Sequence, residues 1–97
     1  MKSIIQKNKE CIVCGRYQVE EHHIYKGIAN RKKSEKYGLK VYLCYEHHRG
    51  NYGIHGKYGH NLDLYLKKIA QKTWQEYYGK TKDDFLKEFR RNYINDW

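Results

Sequence analysis

The stretch LCYEHHRGNYGIHG, from Leu43 to Gly56, packs one cysteine and three histidines into fourteen residues. Thiolate and imidazole are the donors that zinc and other transition ions prefer, and imidazole is also the base best matched to neutral pH. Upstream, KECIVCGR sets Cys11 and Cys14 two residues apart, with Gly15 placed for a sharp turn. Cys44 and His47 repeat that two-residue gap, so the two pairs use every cysteine in the chain. Four such donors suit a closed, tetrahedral structural zinc site. The alternative is buried free cysteines with a surface histidine. The 29 residues between the pairs exceed ordinary finger spacing, so a substructure has to fit between them.

That assignment leaves His22, His23, His48, His55 and, further on, His60 unexplained. A histidine pair inserted between the halves of a zinc site, with another histidine directly after its last ligand, is a specific layout. Its members are candidates for a second metal and for general base chemistry.

The elements that must position these groups are short. YQVEEHHIYK is rich in Val, Ile and Tyr and reads as a strand, and KVYLCY alternates well enough for a second. Between them KGIANRKKSEKYGLK reads as a basic loop punctuated by glycines, and EHHRGNYG as a short helix or turn. From residue 59 onward the chain is helical by period. Leu62, Tyr65, Leu66, Ile69, Thr73, Trp74 and Tyr77 form an apolar stripe, and such a stripe is ordinarily core. Gly79 is placed to stop that helix. Thr81 and Asp84 have the spacing of a capping box opening a second, which continues through Phe85, Leu86, Phe89 and Tyr93. The expectation is an α+β fold in one domain, residues 1–97, with a metal-framed core over 11–56 and a helical tail over 60–95 packed on it.

Composition explains why a metal would be needed. Ile, Leu, Val and Phe supply only 19 of 97 residues, and the net charge is +9, a combination that verges on disorder. Eleven tyrosines and two tryptophans argue for folding all the same. A chain this thin in aliphatics folds with help, and a metal staple is the usual help at this size. An odd number of cysteines cannot close a complete disulfide set. The opening MKSIIQKNKEC holds no apolar run of signal-peptide length, and no later segment is long enough for a bilayer. These points set the expectation of a reducing, cytoplasmic location with free thiols.

Taken together, the segments CIVC, EEHHIYKG and CYEHHRG resemble an HNH endonuclease of the ββα-metal class. They are most similar to small phage-type members whose catalytic unit sits inside a Cys-x-x-Cys … Cys-x-x-[Cys/His] zinc frame. The resemblance spans about half the chain, Cys11 to Gly56, and TWQEYYGKTKDDFLKEFRRNYI is a weaker match to the helical tail of such proteins. It implies a small zinc-stapled ββα-metal unit followed by two C-terminal helices. It assigns His22 as a ligand of a catalytic ion and His23 as the general base. His48 becomes the helix-borne second ligand and His55 a third, seven residues on rather than the family's four. Leu39, after Gly38, stands where the family carries its middle asparagine; Asn30 and Asn51 are the candidates to replace it. Adjacent strand residues point to opposite faces, so His22 and His23 serve one site only where the strand bends.

The implied function is metal-dependent hydrolysis of DNA phosphodiester bonds, leaving a 5′-phosphate and a 3′-hydroxyl. Its cofactors would be a structural Zn²⁺ at Cys11, Cys14, Cys44 and His47 and a catalytic Mg²⁺, Mn²⁺, Ni²⁺ or Zn²⁺. Arg49 would contact the phosphate. Lys26, Arg31, Lys32, Lys33, Lys36 and Lys40, opposed within their segment by Glu35 alone, would contact the DNA backbone rather than bases. A phage origin would put the protein in the cytoplasm of a bacterial host. Two other functions fit the same residues: a zinc-stapled DNA-binding module without catalysis, and a phage-type protein inhibitor on this scaffold.

Overall fold

Val, Ile, Tyr and Leu around two short polar segments favour an extended pair, and the pair forms. The computed structural model describes residues 1–94. Strand β1 (Glu20–His23) lies antiparallel to β2 (Lys40–Leu43), with His22 opposite Val41 and His23 opposite Lys40. They are followed or separated by helices α1 (Ile28–Tyr37), α2 (Tyr45–His48), α3 (His60–Tyr78) and α4 (Lys82–Phe89). Among the described residues the architecture is α+β: a two-stranded sheet with four helices. Among the described residues, no helix is long and apolar enough to cross a membrane.

The basic segment between the strands is a correction: it is helix α1, not a loop. Its residues IANRKKSEKY are mostly good helix formers, and its two flanking glycines are the helix boundaries. The apolar period that would have betrayed it is missing because only Ser34 is buried along its length. The Ser34 hydroxyl fastens the helix to the end of β1, accepting from the Tyr25 N–H at 3.1 Å and donating to the Tyr25 carbonyl at 3.2 Å.

Tyr25 is also where the cysteine- and histidine-rich half meets the tail. Its ring lies 4.8 Å from Phe89, 5.5 Å from Phe85 and 5.5 Å from Tyr93, and its hydroxyl donates to the Lys67 carbonyl at 2.7 Å. Burial pushes its phenol far above the ordinary range. Aromatic rings thus do the work that scarce aliphatics cannot, each pair adding to the apolar area it buries.

The tail keeps the expected punctuation but turns a different face inward. Gly79 ends α3, and the Thr81–Asp84 capping box opens α4 with both reciprocal bonds made, at 2.9 and 3.1 Å. Leu66, Ala70 and Trp74 form the buried ridge of α3, whereas Tyr65 and Tyr77 are both 61% exposed. Buried Gln71 displaces apolar residues from the expected stripe. Its amide donates to Gln75 and to Asn92, and its carbonyl oxygen accepts from the Tyr93 N–H. These bonds hold Tyr93 against Tyr25 although α4 has already ended at Phe89, four residues short of the expected span. Leu86 is exposed. The expected tail limit at residue 95 lies outside the described residues.

Burial separates the two neighbours on α4 sharply. Phe85→Ala should cost about 3–5 kcal/mol in urea unfolding, while Leu86→Ala should stay within about 0.5 kcal/mol of the parent.

Candidate metal centres

The first centre is built from a knuckle and a helix start. Gly15 takes φ +79°, a conformation that L side chains avoid, and its N–H closes back on the Cys11 carbonyl at 2.8 Å. The Ile12 N–H bonds the Tyr42 carbonyl at 3.0 Å, which pins the knuckle beside β2. Cys44 immediately precedes α2, and His47 lies one turn on. Cys14 and Cys44 sulfurs are 3.6 Å apart, and His47 Nδ1 is 3.6 Å from Cys11 Sγ and 3.2 Å from Cys44 Sγ. A tetrahedron with Zn–S of about 2.3 Å and Zn–N of about 2.0 Å has edges of roughly 3.3–3.8 Å. The cysteines are free thiols, and all four donor atoms lie within 4.8 Å of one another. Cys11, Cys14, Cys44 and His47 could therefore bind a metal ion such as zinc. Burial opposes ionisation of Cys11, but backbone N–H groups of Cys44, Cys14 and Val13 aim at its sulfur and bring its pKa down to about 6. A thiolate is the form a metal takes.

His22, His48 and His55 converge separately, their donor atoms also within 4.8 Å of one another. Ring centroids are 5.3 Å apart for His22 and His48, 5.7 Å for His22 and His55, and 4.9 Å for His48 and His55. His22 is 4% exposed, and its Nε2 has no hydrogen-bond partner among the described residues. An orphaned, buried imidazole nitrogen costs free energy unless something fills its lone pair or takes its proton. Burial first, then the charges of His48 and Lys26, drive the His22 pKa down to about 3, so it stays neutral as a ligand must. Burial and the charge of Lys26 lower His55 as well. One imidazole nitrogen of His48 is committed: Nδ1 meets Glu20 Oε1 at 2.8 Å, which leaves Nε2 for coordination. His48 first, then Arg49, hold the Glu20 carboxyl below its ordinary range.

Strand alternation is kept, so His23 faces away from this cluster. Its Nε2 lies 3.0 Å from Glu35 Oε1 on α1 and 3.9 Å from Glu21. Glu21, His23 and Glu35 form a third close group, but Lys40 Nζ already sits 3.4 Å from Glu21 and 3.0 Å from Glu35. The chain supplies its own cation there. The amino terminus, His23 and Lys40, in that order, bring the Glu35 pKa down to about 2. His23 is the last residue of β1, and the chain bends at Ile24 and Tyr25. Both histidines nonetheless line one cleft of about 490 Å³, together with Glu21, His48, His55, Arg49, Lys26 and Arg31.

The six basic residues expected to contact the DNA backbone divide. Lys26 and Arg31 reach the cleft, and Arg31 and Lys32 line a shallower depression beside it. Lys36 lies over the Tyr37 ring at 5.1 Å. Two are held elsewhere. Lys33 donates to the Glu88 carbonyl on α4, and Lys40 is 8% exposed between Glu21 and Glu35. Arg49 lines the cleft but spends its Nε on Glu20 at 3.0 Å. His60 opens α3, exposed. Leu39 is fully buried in the core, and its carbonyl accepts from the Ile24 N–H at 3.0 Å.

Sequence reasoning missed both carboxylates that hold the histidines. Glu20 had a signal, since it stands two residues before His22 and a strand returns to the same face at that interval. Glu35 had none once α1 was read as a loop. No family model matches the chain, and no curated protein or solved structure matches it either.

Zinc bound at the Cys11–Cys14–Cys44–His47 cluster should be worth folding free energy outright. Chelation, or Cys44→Ser, should lower the melting temperature and collapse the 11–56 region in circular dichroism. An unchanged melt after the metal is stripped would count against the cluster as a staple.

Proposed function

We propose that the chain is a metal-dependent DNA endonuclease of the HNH, ββα-metal type, with a zinc frame around its catalytic unit. The observation that carries this reading is the buried, unpartnered Nε2 of His22 within a three-histidine cluster, sharing one basic-rimmed cleft with His23. Packing alone leaves that nitrogen without a partner; a cation gives it one.

A divalent ion held by His22, His48 and His55 would polarise the scissile phosphate and stabilise the departing oxygen. His23, outside that ligand set, accepts the proton of the attacking water. With Nε2 held by Glu35, the nitrogen that takes the proton is Nδ1. Glu35 is a positioning residue: its carboxylate fixes the ring and offsets the imidazolium that forms. It supplies from α1 what the family draws from its asparagine, whose place Leu39 has given to the core. Arg49 keeps further N–H donors beyond the one bound to Glu20, and with Lys26 and Arg31 it draws the DNA backbone to the cleft. Three imidazoles are donors that suit zinc or nickel, whereas magnesium prefers oxygen.

Supercoiled plasmid, incubated with Ni²⁺ or Mg²⁺ at equal micromolar concentration, tests the reading directly. Nicking should be faster with Ni²⁺. His23→Ala should slow it by roughly 10²–10⁴-fold with little change in DNA affinity. Equal rates for parent and mutant, or none for either, would leave a DNA-binding module or a protein inhibitor as the better account.

Glu35 is tested separately on the same assay. Glu35→Gln keeps an oxygen that can accept from His23 but loses the charge that offsets the imidazolium, so it should lower kcat less than Glu35→Ala does. Glu35→Ala should lose roughly 10-fold or more in kcat with KM little changed. Matching losses in both variants, tracking a lowered melting temperature, would make Glu35 a fold residue only.

A further inference from the structure

The chain between α2 and α3 carries a feature that the ion clusters do not use. Tyr52 and Tyr58 stack on each other, ring centroids 5.1 Å apart and planes 27° from parallel, yet they are 71% and 54% exposed. Lys57 sits over the Tyr58 ring at 5.4 Å. A tyrosine pair that only closed a loop would gain most by turning its rings inward, and this one presents them outward.

The support beneath the pair is stiff. The Tyr58 N–H bonds the Asn51 carbonyl at 2.7 Å, and Ile54 and His55 N–H groups bond the His47 and His48 carbonyls, both at 3.0 Å. A side chain at Gly56 or Gly59 would bring its first carbon within 1.9 or 1.7 Å of backbone oxygens in this same loop. The backbone that carries the rings is therefore held in place before anything binds, which removes the ordering cost a flexible loop would bear. His55, which lines the cleft, lies three residues from each tyrosine.

Charge identifies the occupant. From His47 to Leu62 the chain has no acidic residue, while Arg49 and Lys57 are cationic. Stacked aromatic faces beside cations suit unpaired nucleobases on a phosphodiester strand. A base in a duplex already has both faces covered by its neighbours.

We propose that Tyr52 and Tyr58, with Lys57, form a stacking platform for unpaired bases of single-stranded DNA next to the cleft. The inference deepens the nuclease reading and rests on it for its meaning: the substrate is DNA with single-stranded character at or beside the scissile bond.

Binding of the zinc-loaded protein to a fluorescent single-stranded oligonucleotide and to a duplex of equal length separates the outcomes. Tyr52→Leu and Tyr58→Leu, which keep bulk but lose the π face, should each weaken single-strand binding by roughly 5- to 100-fold. Duplex binding should change little. Tyr52→Phe and Tyr58→Phe should bind the single strand like the parent, and unchanged duplex binding by the Leu variants excludes misfolding as the cause. Equal losses on both DNAs, no loss on either, or no parental single-strand binding would overturn the platform. Plasmid nicking by the parent is scored independently. Cleavage with tyrosine-independent binding sinks only the platform, and tyrosine-dependent binding without cleavage sinks only the nuclease.

Discussion

One turn of helix bears the geometry of this molecule. Helix α2 is four residues long, and it hands His47 to the thiols of Cys11, Cys14 and Cys44 and His48 to His22 and His55. Consecutive residues on a helix are rotated by about 100°, and the two adjacent imidazoles point into different clusters. The fourteen-residue stretch with which the sequence draws attention to itself therefore belongs to two clusters at once. Everything else in the small domain keeps that turn in place: β2 runs straight into it, and the loop after it bonds back onto the carbonyls of both histidines.

A thin aliphatic core makes this placement harder than it would be in a larger protein. The solution combines polar fasteners with aromatic packing. Ser34 and Tyr25 lock α1 to the end of β1, Gln71 carries the segment after α4 back onto α3, and the Tyr25, Phe85, Phe89 and Tyr93 rings fill the junction between halves. Tyrosine suits the role because its ring buries like phenylalanine while its hydroxyl finds a backbone carbonyl.

How much of this was legible in the sequence depended on whether the signal was local. Two-residue gaps announced the Cys11–Cys14 and Cys44–His47 pairs, because ligand spacing is a property of a single turn. The stop at Gly79 and the box at Thr81 and Asp84 were readable for the same reason. Helix α1 was not, since a helix with one buried serine has no apolar period to detect. The inward face of α3 was misread at Tyr65 and Tyr77 because Ala70 and a buried glutamine, Gln71, face the core instead, and bonds to Gln75, Asn92 and Tyr93 satisfy that glutamine. The grip of Glu35 on His23 joins residues twelve apart across an unrecognised helix, beyond any local rule.

The sharing of α2 also makes the two clusters partners in a thermodynamic sense. An ion seated on Cys44 and His47 would favour the backbone that aims His48, and an ion on His48 would favour the same backbone for His47. Whatever factor one ion lent to the affinity of the other would be returned equally, since coupling between two sites is reciprocal. Oxidation of a thiol in the first cluster would travel the same route, loosening the grip of the second without touching any of its ligands.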